Sequence, residues 1–224
     1  MKDFNYKHLG TMDVSSIKKV CESYTLQDWT KYDKRQRIHP VHRETHTIPL
    51  IWNKVIGLAV LSKKNFTYHS EYDKFKVEID NLDKNLQAYF KYGNIVSAIL
   101  VKMPAGSNIY PHKDAQLGFH YAHRIHIPIV THKECVFEID NEVKHLEQGN
   151  IYELNNTGKM HAVYNRSNVD RIHLLIDYKM KECDNVEDID VNVEQKKIIW
   201  KFKDGSTFVD PGGEPDLFTN NGLG

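Results

Sequence analysis

Three cysteines in 224 residues, Cys21, Cys135 and Cys183, are too few and too widely spaced for a disulfide framework, and no CxxC pair marks a zinc site. That scarcity points to a reducing compartment, and a cytoplasmic location is expected. An excess of charge of either sign is also missing: 30 Lys and Arg balance 30 Asp and Glu, scattered rather than blocked, so no electrostatic footprint for nucleic acid results. No apolar run nears the roughly 18 residues of a membrane span; the longest lies around 58–61. Residues 1–14 (MKDFNYKHLGTMDV) lack the apolar centre of a signal peptide. No internal repeat is visible, and the length suits one domain with appendages and a sizeable core.

Helical patterning is confined to the first half. A short helix is expected over 14–23, with Ser15 or Ser16 at its start and Ile17 and Val20 on one face. The better one covers 77–92, where Val77, Ile79, Leu82, Leu86, Tyr89 and Phe90 recur at helical spacing and Gly93 supplies a stop. It should buttress a sheet. Segments 47–51 (TIPLI) and 55–61 read as strands, and the polar cluster 43–46 (RETH) reads as a solvated loop or one border of a substrate mouth. From 94 onward strand patterns dominate: 94–103, a turn at 104–107, then 108–114, 124–130 (RIHIPIV), 135–139 (CVFEI), 151–154 (IYEL), 161–164 (HAVY) and 171–177 (RIHLLID). Strands this short, with turns at 148–149 and 165–170, a loop at 155–159 and no helices between them, predict an antiparallel sandwich or barrel, closing as a jelly roll of about eight strands. The expected division is one domain over 1–180, with a β core at about 94–180 and an N-terminal helical and strand buttress over 1–93. An extension over 181–224 follows, with an acidic stretch at 182–190, a hairpin over 198–209 around Lys203, Asp204 and Gly205, and a loop-like tail.

What the chain has in excess is histidine, thirteen in all, so each candidate must be argued by position. His112 and Asp114 stand two apart in an extended segment, and residues i and i+2 of a strand share a face, so both can reach one ion. His161 begins a later strand and completes the set if that strand faces the first across a barrel mouth. Two histidines and a carboxylate on one side, with other positions open, suit non-haem Fe(II) that must still bind oxygen and a cosubstrate. Arg171, ten residues past His161, offers the planar fork that grips the far carboxylate of 2-oxoglutarate, which lysine cannot reproduce. Its structural alternative is an ion pair with Asp170 or Asp177. Arg124 and His126 share one face of their strand, opposite Ile125, Ile127 and Ile129, and are further anion contacts or a hydrogen-bonded pair inside the barrel. His39, His42, His46 and His69 read as surface or turn residues. Chance alone supplies roughly one His-x-Asp triplet in such a chain; the weight lies in the order of the segments around it. A non-catalytic metal-binding jelly roll, a sensor or structural module, stays open: it would keep the triad without needing Arg171.

The stretches PAGSNIYPHKD (104–114), RIHIPIVT (124–131), the strand at 149–154 and HAVYNRSNVDRIHLLIDY (161–178) resemble the aspartyl/asparaginyl β-hydroxylase family of 2-oxoglutarate oxygenases, including its proline- and amino-acid-hydroxylase-like relatives. The resemblance covers about 95–180, reaches the first ninety residues weakly and stops at 180. It implies a mainly β, double-stranded β-helix fold (jelly roll, cupin-like) with flanking helices. It also implies Fe(II), 2-oxoglutarate and O2, and hydroxylation of an unactivated C–H bond of an amino acid or of a protein or peptide side chain. Carried over, His112 and His161 are metal ligands, Arg171 is the cosubstrate arginine, and Arg124 with His126 is the RxH pair beside it. Asp114 places the chain with the branch that has the full triad rather than with relatives that use two histidines. His173, two residues past Arg171, stands where related oxygenases often carry a small hydroxyl residue.

Overall fold

The computed structural model describes residues 2–53, 66–114, 121–181, 186–192 and 197–210. The chain begins with β1 (Tyr6–Thr11), followed by α1 (Ser15–Ser23), α2 (Leu26–Thr30), α3 (Lys34–Ile38) and a 3-10 turn (Pro40–His42). Next come β2 (His46–Asn53), β3 (Phe66–Tyr68), a second 3-10 turn (Ser70–Lys74), α4 (Lys76–Phe90), β4 (Ile95–Met103) and β5 (Asn108–His112). β6 (Ala122–Val130), β7 (Cys135–Ile139), β8 (Glu142–His145), β9 (Asn150–Leu154), β10 (His161–Asn165) and β11 (Arg171–Lys179) complete the core. β12 (Val186–Asn192), β13 (Lys197–Phe202) and β14 (Thr207–Asp210) form a separate three-stranded sheet containing the expected hairpin. The expected acidic stretch is, from Val186 on, strand β12; its first residues, the strand at 55–61 and the tail from 211 lie outside the described residues.

A seven-stranded sheet of order β1-β9-β6-β11-β4-β2-β3 faces a four-stranded one of order β5-β10-β7-β8, and every pairing is antiparallel. The expected jelly-roll class is what forms. Alternation along β6 divides the larger sheet by function. Ile125, Ile127 and Ile129 are fully buried and join the core made with α4, whereas Arg124 and His126 line the cavity between the sheets. The two sheets meet through a smaller apolar cluster that includes Met103, Ile109, Phe137, Leu154 and Val163.

α4 buttresses the large sheet as its periodicity predicts, burying Ile79, Leu82 and Leu86, although Val77 and Tyr89 point to solvent. Its stop is Lys91, in the left-handed conformation, rather than Gly93. Gly93 has a different duty: at φ +76° a Cβ there would stand 2.4 Å from the Lys179 carbonyl oxygen, so the close approach to β11 requires glycine. The N-terminal region holds more order than its polarity suggested. β1, α2 and α3 are elements beyond those the sequence pattern predicts. α2 starts with a reciprocal capping box between Thr25 and Asp28 and is fixed by Trp29, which is buried beneath Lys102 Nζ.

Asn165, at the end of β10, ties three loops together. Its amide donates to the carbonyls of Met103, Pro104 and Val169, and its oxygen accepts from the Ser167 hydroxyl and amide and from Cys135 Sγ. Truncation leaves several buried groups unpaired, each costing about 1–3 kcal/mol. Asn165→Ala is therefore expected to lower the urea unfolding free energy by about 3 kcal/mol or more. A loss below about 1 kcal/mol would contradict this accounting.

Candidate active site

His112 closes β5 and His161 opens β10, and the two are direct cross-strand partners in an antiparallel pair. The sequence expectation placed them on strands facing across a barrel mouth; they instead lie on hydrogen-bonded neighbours of one sheet, with ring centroids 4.1 Å apart. Asp114 lies just past the end of β5, and its backbone amide donates to the Asn156 carbonyl. Its two oxygens are divided. Oδ2 accepts from Asn156 Nδ2 at 2.9 Å and lies 3.8 Å from Arg124 Nε, while Oδ1 points at His112 Nε2 (3.4 Å) and His161 Nε2 (3.9 Å).

Burial alone would raise the Asp114 carboxyl. The contact with His112 and the nearby Arg124 and His161 outweigh it and hold the group well below the usual carboxylate range. Burial, then Asp114 and His112 in opposite senses, sets His161 down at about 4, so its imidazole is neutral at pH 7. His112 Nδ1 is 2.8 Å from the Tyr110 carbonyl oxygen and must donate to it, which leaves Nε2 as a lone pair in the neutral ring. Nε2 is buried and has no hydrogen-bond partner among the described residues. Nε2 faces Asp114 Oδ1 at 3.4 Å, and two imidazoles with one carboxylate are a donor set that suits Fe(II). The residues fit the metal.

A third imidazole approaches. His42, expected on the surface or in a turn, is carried by the 3-10 turn after α3, packs edge-to-face on His112 at 5.3 Å, and brings a ring nitrogen within 4.8 Å of the ligand atoms of His112 and Asp114. The turn is fixed by Thr45, whose amide and hydroxyl both donate to the His42 carbonyl. Burial, then Arg35, pushes the His42 imidazole down to about 2. No periodicity in the sequence marks this residue, nor Asn156 or Arg35.

The cavity beside these groups is small, about 30 Å³, and Arg171, Arg124, His126 and Phe137 line it. A larger one, about 170 Å³, lies by α4 and β3, but its carboxylates are engaged: Asp80 with Tyr72 and Lys76, and Asp83 with the Ile95 amide. Chemistry favours the smaller. Arg171 is 2 % exposed and has no carboxylate within ion-pair distance among the described residues. Asp170 pairs with Lys102 and Asp177 with Arg124, which removes both sequence-stated alternatives for Arg171. Its guanidinium stacks over Phe137 at 4.7 Å and donates to His173 Nδ1 at 2.7 Å. Burial pulls it down to about 9. The unusual His173 thus holds the arginine. Arg124 donates to both oxygens of Asp177 at 2.7 and 2.8 Å, so it is not paired with His126. His126 is buried with both ring nitrogens unpartnered among the described residues, and burial first, then Arg124 and Arg171, keeps it neutral.

Asn156 holds Oδ2 of Asp114, so Asn156→Ala is expected to weaken metal binding about 10- to 100-fold, measured by Mn(II) titration. Unchanged affinity would remove Asn156 from the site.

The family model for Aspartyl/Asparaginyl beta-hydroxylase matches residues 13–181. No curated protein sequence matches the chain. Among solved structures, the chain is similar to a 2OG-Fe(II) oxygenase family oxidoreductase from Burkholderia pseudomallei (13 % identity, 64 % of this chain and 76 % of that one, TM-score 0.49). It is also similar to a Pseudomonas putida prolyl-4-hydroxylase (9 %, 80 % and 94 %, 0.47) and to the viral collagen prolyl hydroxylase of Paramecium Bursaria Chlorella virus-1 (8 %, 80 % and 97 %, 0.46). The family match spans most of the chain, and the chain belongs to the Aspartyl/Asparaginyl beta-hydroxylase family of Fe(II)- and 2-oxoglutarate-dependent hydroxylases.

Proposed function

We propose that His112, Asp114 and His161 hold Fe(II), that Arg171 holds the far carboxylate of 2-oxoglutarate, and that the enzyme hydroxylates an unactivated C–H bond of an amino acid or of a peptide or protein side chain. The observation that carries the reading is Arg171, a buried guanidinium without a carboxylate partner among the described residues, in the cavity that also contains the three donors. A cation so placed asks for an anionic ligand. When bound, Fe(II) with 2-oxoglutarate and O2 supplies the oxidising power: the cosubstrate loses CO2 to become succinate, and one oxygen atom enters the substrate as hydroxyl.

The chain's own residues do the rest. Asn156 and Arg124 engage Asp114 Oδ2 and leave Oδ1 for the metal. The Tyr110 carbonyl fixes the His112 tautomer so that Nε2 is the donor. Phe137 and His173 aim the Arg171 fork, and neutral His126 offers a ring N–H to an anion without adding a competing charge. His42 is a neighbour of the metal in this reading, not one of its three ligands. We further propose that residues 1–180 act as one catalytic unit, in the cytoplasm, with 181–224 as an appendage; no helix among the described residues is long and apolar enough to cross a membrane.

The test is anaerobic addition of Fe(II) and 2-oxoglutarate, followed through the weak visible charge-transfer band of the chelate. Amino acids and peptides are then screened by mass spectrometry for a gain of one oxygen. Metal binding without any 2-oxoglutarate binding would replace this reading with the non-catalytic metal module. Loss of Fe(II) binding in His42→Ala but not in His161→Ala would replace the proposed triad.

A further inference from the structure

Arg35, on α3, is a second guanidinium that borders the cavity without a carboxylate of its own. Its hydrogen bond is a long one, 3.4 Å from Nη1 to Thr45 Oγ1, and no carboxylate lies within ion-pair distance among the described residues. The charges that face it are Arg124, Asp114 and Asp177. Neither carboxylate is available. Asp177 is taken up by both bonds from Arg124, and Asp114 gives Oδ2 to Asn156 and Oδ1 to the histidine cluster. Arg171 lies in a different neighbourhood, against Met103, His173 and Phe137. The two unpaired arginines therefore serve different parts of one cavity.

Charge balance separates their roles. The cavity region carries three guanidinium groups (Arg35, Arg124 and Arg171) against two carboxylates (Asp114 and Asp177). Fe(II) and doubly charged 2-oxoglutarate cancel one another, so one positive charge is left over. Arg35 is partly buried, and an arginine recruits a planar oxyanion more readily than any neutral group. The same α3 and 3-10 segment carries His42 onto the His112 ring, so an anion gripped by Arg35 lies beside the metal donors rather than on the outer surface.

We propose that Arg35 anchors a carboxylate of the substrate that is hydroxylated, and that the substrate class is therefore carboxylate-bearing. This rests on the preceding reading of the site. The carboxylate comes either from a free acid or from an acidic side chain in a peptide, and the two sources share this chemistry.

The experiment uses the full chain with Fe(II) and 2-oxoglutarate under anaerobic conditions, titrated calorimetrically with L-proline, L-aspartate and a peptide blocked at both ends with a single Asp. Each is run beside its carboxamide counterpart. At least one carboxylate probe is expected to bind, and its carboxamide to bind at least about tenfold more weakly. Arg35→Gln is expected to lose about ten- to a hundredfold in affinity for that probe, and Arg35→Lys to recover part of it. Affinity for 2-oxoglutarate should stay within about twofold in both variants, which also reports that they fold. Preference for a free acid or for the blocked peptide identifies the source. The proposal is overturned if no carboxylate binds the wild-type complex, if amides bind equally well, if Arg35→Gln binds the carboxylate like wild type, or if Arg35→Gln weakens 2-oxoglutarate as much as the probe. Absence of 2-oxoglutarate binding to the wild-type iron form would instead sink the underlying assignment.

Discussion

Asp114→Ala and His161→Ala are each expected to lose Fe(II) affinity by roughly a hundredfold or more and to form no succinate. The reason is geometric. Asp114 presents one oxygen to both histidines, and His161 is placed by its cross-strand pairing with His112, so neither donor has a substitute at the same position. His42 is near enough to invite the question of replacement, but it comes from a 3-10 turn instead of the paired strands. The two variants should differ in stability. Asp114→Ala leaves the Asn156 amide donor without its partner but also removes a buried charge. His161→Ala opens a void between β5 and β7 and should cost about 2 kcal/mol. Mn(II) titration, succinate assay and urea unfolding of both variants test this, and full turnover in both would end the triad assignment.

Arg171→Met is expected to abolish 2-oxoglutarate binding and, at the same time, to make the ligand-free protein more stable by about 1–2 kcal/mol. A buried cation with no counter-charge is costly, and Met is a flexible apolar replacement suited to the neighbours already present, Met103 and Phe137. Part of the gain is offset because His173 Nδ1 loses its donor. The diagnostic is the ligand-induced shift. Wild type with Mn(II) should gain stability in proportion to 2-oxoglutarate concentration, whereas the variant should show no shift from a higher baseline. A variant that starts lower, or that 2-oxoglutarate still stabilises, contradicts the assignment of Arg171 as an anion anchor held in waiting.

The β core was legible because its signal is local. Alternation in RIHIPIV determines which side of β6 meets the core, and the structure places the three isoleucines there and Arg124 and His126 in the cavity. The predicted donors His112, Asp114 and His161 come together, and Arg171 lines the same cavity. What stayed hidden depends on contacts between distant residues. β1 has little apolar patterning because it is an edge strand, stabilised by pairing with β9 rather than by a buried face. His42, Arg35 and Asn156 sit on short turns and a helix of five residues, where composition carries no period to read. The partner of Arg124 could not be chosen either. Asp177 is opposite it only because β6 and β11 pair in one register, and register is a property of the assembled sheet.

The edge strand also ties distant parts of the chain together. Asn155, next to the residue that holds Asp114, donates its backbone amide to the Asn5 carbonyl, and Asn5 and Tyr6 reach across to Glu142. The first strand therefore closes against partners more than 130 residues away in the chain. Loops of that length are slow to close, and topologies dominated by such pairings fold on the millisecond-to-second scale. The loop that carries Asn156 is braced through this long-range contact. The support for Asp114 therefore runs through Asn156 and Asn155 to Asn5, at the opposite end of the core.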